Sequence, residues 1–277
     1  MPSDLDFEWD NGPDSAESLW DEAFAAIDSM IPDSCFEDDD QAHVIGTVAA
    51  RRNGVLVGIT EVYDEEGNGG VASMHGAYVP REVRRILSGY YDDSPITAEE
   101  FAATTGMYRL AVEHLAAAGF RVVLFDGTDT APDGRAAVEL SAQPIREHAR
   151  DWRVEPATWT RPEDLPDVEL VRVRDPNEES AEVELETANG SVRAYLLDRS
   201  AYINAGEAIS HDGGDPRVVA ALLAALVTRL RENYPNAIEL TVFEFEDDTI
   251  RAALPLAGFE ICGRHVMYEL PLEAETR

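Results

Sequence analysis

Few side chains in this sequence are placed to move protons. His75 and Tyr78 stand three apart in VASMHGAYV, where one could serve as a base and the other as an acid. A structural hydrogen-bonded pair is the alternative. Glu207 lies in AYINAGEAIS. Half buried in a strand, its carboxyl would have a raised pKa and could serve as a general base; pointing outward, it would only meet solvent. Asp126 ends the run FRVVLFD and could bind a substrate or cap the turn that follows. The segment SHDGGDPR, Ser210 to Arg217, carries Gly213 and Gly214 just before a helix start. Glycines let the backbone approach an anion there, which free N–H groups and the helix dipole favour. The same segment also reads as a plain turn and helix cap.

Other chemistries have no footing. The six histidines never fall at the spacings of a zinc motif, so no metal is expected. No Gly-x-Ser-x-Gly elbow, phosphate-cradling loop or dinucleotide fingerprint is present. His148 and Asp151 are one helical turn apart in a segment that reads as a solvated helix face. Cys35 and Cys262, at opposite ends of the sequence, suggest free thiols in a reducing compartment.

The elements that must position these groups read as two similar series. Residues 1–14 are polar and expected to be loose, and Ser15 to Met30 places Leu19, Trp20, Phe24, Ile27 and Met30 at helical spacing. Two β-rich runs then meet at Asn53-Gly54, a hairpin signal, and VASMHGAYV forms a third strand. Thr97 with Glu100 makes a capping box for a long helix ending at Gly119, and FRVVLFD follows as a buried strand. SAQPIREHARDW reads as a helix, and VEPATWTRPEDLPD, with three prolines, as a linker. Beyond it come a strand in VELVRVRD, a hairpin on Asn189-Gly190, the strand AYINAGEAIS and an apolar helix capped by Asp215-Pro216. Both halves thus run hairpin, strand, long helix, strand, which points to two copies of one α+β fold.

Composition bounds the rest. With 277 residues and 44% apolar content the chain can bury a real core. Net charge is −33, from 55 acidic and 22 basic residues, and every basic residue is arginine. Such self-repulsion is screened in about 1 M salt, where the Debye length is about 3 Å, so a cytoplasmic protein of a salt-accumulating organism is expected. Nucleic acid needs clustered basic groups and is not expected as a partner. The longest apolar run, Val218 to Val227, is too short for a membrane span, and the acidic N-terminus lacks the pattern of a signal peptide.

The second half resembles the GNAT superfamily of acetyl-CoA-dependent N-acetyltransferases. The resemblance rests on DPRVVAALLAALVTRLREN, IELTVFEFE, DDTIRAALPLAGF and FEICGRHVMYEL, with Gly258-Phe259 at the last corner. The first half resembles the divergent branch related to FemAB-type aminoacyltransferases, through MHGAYVPREVRR and TGMYRLAVEHLAAAGFRVVLFDGTD. The resemblance implies GNAT-like domains at 1–153 and 168–277 joined by a linker at 154–167. Each would be a mixed, mostly antiparallel sheet flanked by helices.

It also implies acetyl-CoA bound along a splayed strand and at the next helix start, by Ser210, His211, Gly213, Gly214 and Arg217 in the second half and Gly106 in the first. Glu207, His75 and Tyr78 become the catalytic candidates. The acceptor would be an amine on a small molecule or protein, with a homodimer left open. Several family positions depart from pattern: Asp215 where a basic residue is usual, Val218 for glycine, Ala103 for a basic residue, Asp247 for asparagine, and Leu254 for the tyrosine acid. Asp212 and Asp215 would oppose a pyrophosphate by ~1 kcal/mol per contact in water. A catalytically silent GNAT-fold module for binding or assembly is therefore the alternative.

Overall fold

The structure is a computed structural model. It describes residues 4–11, 14–25, 44–65, 67, 69–81, 94–177, 180–197, 199–212 and 214–272. The chain divides into two compact units: unit 1 holds 1–84, 94–147 and 265–277, and unit 2 holds 85–93 and 148–264.

Unit 1 is a sheet of β1 (Leu5–Asn11), β2 (Val44–Arg52), β3 (Val55–Asp64), β4 (Val71–Tyr78) and β5 (Val122–Thr128), in that order. All neighbours are antiparallel except β4 and β5. Helix α1 (Asp14–Ala25) covers one face; α2 (Ala98–Ala118) and α3 (Pro132–Glu139) cover the other. Asn53 and Gly54, both at positive φ (51° and 80°), make the tight β2–β3 turn that matches strand twist. The capping box of α2 is present as expected, and Gly119 ends the helix at φ 91°.

The N-terminal stretch expected to be loose is instead β1. Leu5, Phe7 and Trp9 alternate with Asp6, Glu8 and Asp10, a period of two that offers one half-buried face to the sheet. That face explains Gly106. The residue lies inside α2 rather than in a cofactor loop, and a Cβ there would stand 2.2 Å from Phe7 Cζ. Gly106→Ala is therefore expected to destabilise unit 1 by about 1–3 kcal/mol, the usual cost of overpacking, despite its better helix propensity. A higher melting temperature for this variant in thermal denaturation would contradict the packing argument.

The sixth neighbour in unit 1 comes from the chain's last strand, β13 (Glu260–Pro271), whose residues His265 to Pro271 pair antiparallel with Thr128 to Val122. Unit 2 is closed in the same way by β6 (Gln143–Val154), where the sequence reads as a helix. Ala149 to Val154 pair with Phe245 to Leu240 of β12 (Glu239–Phe245), burying Ala149, Trp152 and Val154. A long-range strand edge overrides helical spacing here. His148 and Asp151, three apart on a strand, then point to opposite faces. Thus each unit completes its sheet with a strand from the other half of the sequence.

The remaining strands of unit 2 are β7 (Arg172–Arg174), β8 (Glu182–Thr187), β9 (Gly190–Leu196) and β10 (Ser200–Asn204), ordered β6-β12-β10-β9-β8-β7. AYINAGEAIS is not one strand: a helical turn, α4 (Ala205–Ala208), separates β10 from β11 (Ile209–His211), which pairs with β9. Helices α5 (Pro216–Asn233) and α6 (Asp248–Leu256) pack on a core of Val219, Leu223, Leu226, Leu230, Ile250 and Leu254. Beneath α6, fully buried Glu244 accepts from Arg251 Nε at 2.9 Å and from the Asp247 N–H at 3.1 Å. Among the described residues no helix is long and apolar enough to cross a membrane.

Candidate functional site

In unit 1 the parallel pairing of β4 with β5 runs from Val71↔Val122 to Met74↔Phe125 and stops, although both strands continue. His75 to Tyr78 remain paired with β3 on one side only, while Asp126 to Thr128 stay with β13. The two parallel strands therefore diverge, and β4 turns a free backbone edge toward the wedge between them. Free strand N–H and C=O groups are ready partners for an extended ligand.

The sheet's alternation sorts the groups around this wedge. On the α1 face, His75 lies directly across from Glu61 of β3. His75 is exposed, and the Tyr63 ring meets its imidazole edge-on at 5.6 Å. Glu61 is held by two neutral donors: Trp20 Nε1–H of α1 at 2.7 Å on Oε1, and the Tyr63 hydroxyl on Oε2. On the opposite face, Tyr78 donates to Glu99 Oε1 at 3.2 Å, and burial, then the Glu99 charge, pushes its pKa up to about 12. The candidate base and acid, His75 and Tyr78, consequently sit on opposite faces of the sheet, as an odd spacing on a strand dictates.

Tyr108, which sequence reasoning missed, fills the α2 side of the wedge. Its ring packs on Phe125 of β5 at 5.1 Å, and Gly76 of β4 has no Cβ because one would stand 2.5 Å from that ring. The residue is fully buried. Its hydroxyl faces the Gly76 N–H of β4, and no side chain among the described residues partners it. Burial, followed by the charges of Asp133 and Asp126, raises its pKa well above the ordinary value, so it stays a donor.

Asp133 belongs to the same cluster. Its Oδ1 accepts from Gly134 N at 2.7 Å and Thr128 N at 3.2 Å, tying the end of β5 to α3. Burial dominates over those two hydrogen bonds and pushes its carboxyl up to about 7. A carboxyl in that range can give or take a proton near neutrality. No local motif marks it, since its burial depends on β13, which brings His265 and Tyr268 alongside.

The start of α2 is already satisfied. Glu100 N–H donates to Thr97 Oγ1 at 3.2 Å, and Arg81 Nε meets Glu100 Oε1 at 3.2 Å, a buried pair. Burial opposes the Glu100 charge, but the Thr97 N–H, Arg81 and the Thr97 hydroxyl hold its carboxyl below the usual range.

Unit 2 commits its candidate cofactor residues to internal partners. Ser210 Oγ accepts from Ser191 N at 3.2 Å, and Arg217 bonds the Asp164 carbonyl while its N–H donates to the Asp215 cap at 2.9 Å. His211 Nε2 lies 3.5 Å from Asp247 Oδ2, so the end of β11 is joined to the start of α6. Burial works to raise the Asp247 pKa, but the Ile250 N–H, His211 and the Thr249 N–H together lower it. Gly214 has φ 26°, and Gly213 lies outside the described residues. Glu207 sits exposed on α4, and Leu254 is fully buried under the sheet. Among the described residues no group of three or more His, Cys, Asp or Glu is placed to hold a metal ion.

No family model matches the sequence, and no curated protein matches it. Solved structures do. A tandem GNAT protein from the clavulanic acid biosynthesis pathway aligns at a TM-score of 0.51 and 13% identity, over 97% of this chain and 99% of that one. A GNAT-family acetyltransferase from Colwellia psychrerythraea gives 0.49 at 10% identity, over 96% and 99%. A GCN5-related N-acetyltransferase from Sphaerobacter thermophilus gives 0.45 at 13%, over 96% of each chain. The first likeness shows the fold: this chain has the tandem GNAT-like architecture. At such identity it speaks for the fold alone.

Proposed function

We propose that the chain transfers an acyl group from acetyl-CoA to an amine, and that unit 1 holds the reacting groups. One observation carries this: β4 and β5 diverge after Met74, with His75 exposed on one face and the buried Tyr108 hydroxyl against the other. When bound, acetyl-CoA supplies the acyl group as a thioester. The free edge of β4 from His75 to Tyr78 would hold its pantetheine by strand-like hydrogen bonds. His75 takes the proton from the attacking amine, and Tyr108 donates to the oxygen or sulfur that gains negative charge.

A second reading has its own support. Both long helices begin on carboxylates, Glu100 at α2 and Asp215 at α5, where a pyrophosphate would otherwise bind. The His211–Asp247 contact further ties unit 2 shut at that end. Unit 2 is then a silent scaffold, and if unit 1 also fails to bind acetyl-CoA the whole chain is a binding module.

Calorimetric titration of acetyl-CoA into the full chain in about 2 M KCl, where its charge is screened, separates the readings. Micromolar binding is expected. Given an accepted amine, His75→Ala should keep that affinity while lowering kcat by about 10²–10⁴-fold. No heat at millimolar acetyl-CoA would leave the binding module.

A further inference from the structure

Several carboxylates on the strands of unit 2 are answered by arginine. Arg193 meets Glu182 at 3.5 Å, Arg174 meets Glu184 at 3.1 Å, and Arg251 meets Glu244 at 2.9 Å; from α1 and α2, Glu22 and Glu99 likewise meet Arg51 and Arg52. Glu61 is held differently. Half buried in β3, it receives two neutral donors, the Trp20 indole and the Tyr63 hydroxyl, and has no cationic partner among the described residues. Two hydrogen bonds occupy about half of the roughly four lone-pair positions of a carboxylate. They fix its orientation and leave its charge uncompensated.

Its surroundings suit a cation. The Trp20 and Tyr63 side chains flank it and point their N–H and O–H groups at its two oxygens. Across the strand pair stands exposed His75, at the point where β4 leaves β5. The chain's net charge of −33 adds long-range attraction for any cation. Directly opposed residues have Cβ atoms about 5 Å apart. A ligand holding one ammonium on Glu61 would therefore present a second group a few bonds away to His75.

We infer that the α1 face of unit 1 is the acceptor site, and that its ligand is a short aliphatic diamine. One end stays protonated on Glu61, between Trp20 and Tyr63, and the other is the amine that His75 deprotonates. The inference rests on the acyl-transfer reading for the role of His75, but binding to Glu61 can be measured without it.

The test uses the full chain at the lowest KCl concentration that preserves its near-ultraviolet spectrum. The probes are 1,4-diaminobutane and 4-aminobutanol, with binding followed by NMR on the Trp20 Nε1–H. The diamine should shift this resonance and bind at least 10-fold more tightly than the amino alcohol. Glu61→Gln should abolish that preference and weaken the diamine at least 10-fold, with a melting temperature close to wild type. Glu113→Gln, an exposed change of equal charge on α2, should change neither. Equal binding of the two probes, or a Glu61→Gln chain that binds as wild type does, overturns the inference. Acetyl-CoA titrated separately keeps the two ideas apart. Acetyl-CoA binding without diamine preference sinks the acceptor site alone, whereas the reverse result keeps this site and sinks acyl transfer.

Discussion

Ending the chain at Arg264 is expected to unfold unit 1 preferentially. The lost stretch pairs with β5 along its whole length, from His265↔Thr128 to Pro271↔Val122. It carries Tyr268, 7% exposed, and the partly buried Val266, Leu270 and Leu272 of the unit 1 core. A fully buried large apolar side chain contributes about 1.5–3 kcal/mol, and half-buried ones less, so the removed set is worth about 5 kcal/mol. The unpaired β5 edge adds further cost. Against a typical domain stability of about 5–15 kcal/mol, that loss is decisive. Hydrogen exchange makes the check. Amides of β5 and α2 should lose protection far more than those of α5 and β12, and unchanged protection of β5 would refute the strand's structural role. Residues 1–153 expressed alone lack the same strand and should show the same defect.

Asp133→Asn should stabilise the protein above neutral pH, against the usual trend for core-side substitutions. Folding lifts the Asp133 carboxyl from about 3.9 in an unfolded chain to about 7, so the folded state binds its proton more tightly. Its stabilising contribution is therefore complete below about pH 4 and is lost as pH rises through about 7. A shift of that size corresponds to about 4 kcal/mol at most. Part of the side chain reaches the surface, so about 2 kcal/mol is the better expectation. Asparagine cannot ionise, and its Oδ1 can still accept from the Thr128 and Gly134 N–H groups. The variant should melt about 4–8 °C higher than wild type at pH 8, with about a third of that gain at pH 5 and little difference at pH 4. Equal or lower melting at pH 8 would show that Asp133 is charged without penalty.

The two helices α2 and α5, their caps, both Asn-Gly hairpins and the shared series of hairpin, strand, long helix and strand were legible in the sequence. All depend on contacts within a few residues, and a capping box or a left-handed turn residue is chosen locally. The family resemblance likewise rested on this order, and the tandem fold agrees with it. His75 and Tyr78 were legible as residues able to move protons, but their placement on opposite faces follows from strand alternation.

What only the tertiary structure decided is everything carried by long-range pairing. QPIREHARDWRV has helical spacing, yet it lies along β12, because an open strand edge satisfies its backbone and buries Trp152 and Val154 together. Residues 265–271 close unit 1 rather than the unit that precedes them in the sequence. Tyr108, Asp133 and Glu61 bear no motif. Their environments come from Gly76, β13 and Trp20, brought in from 32, more than 130 and 41 positions away along the chain. Local propensity is encoded residue by residue, whereas desolvation and the pairing of buried charge exist only once distant segments meet.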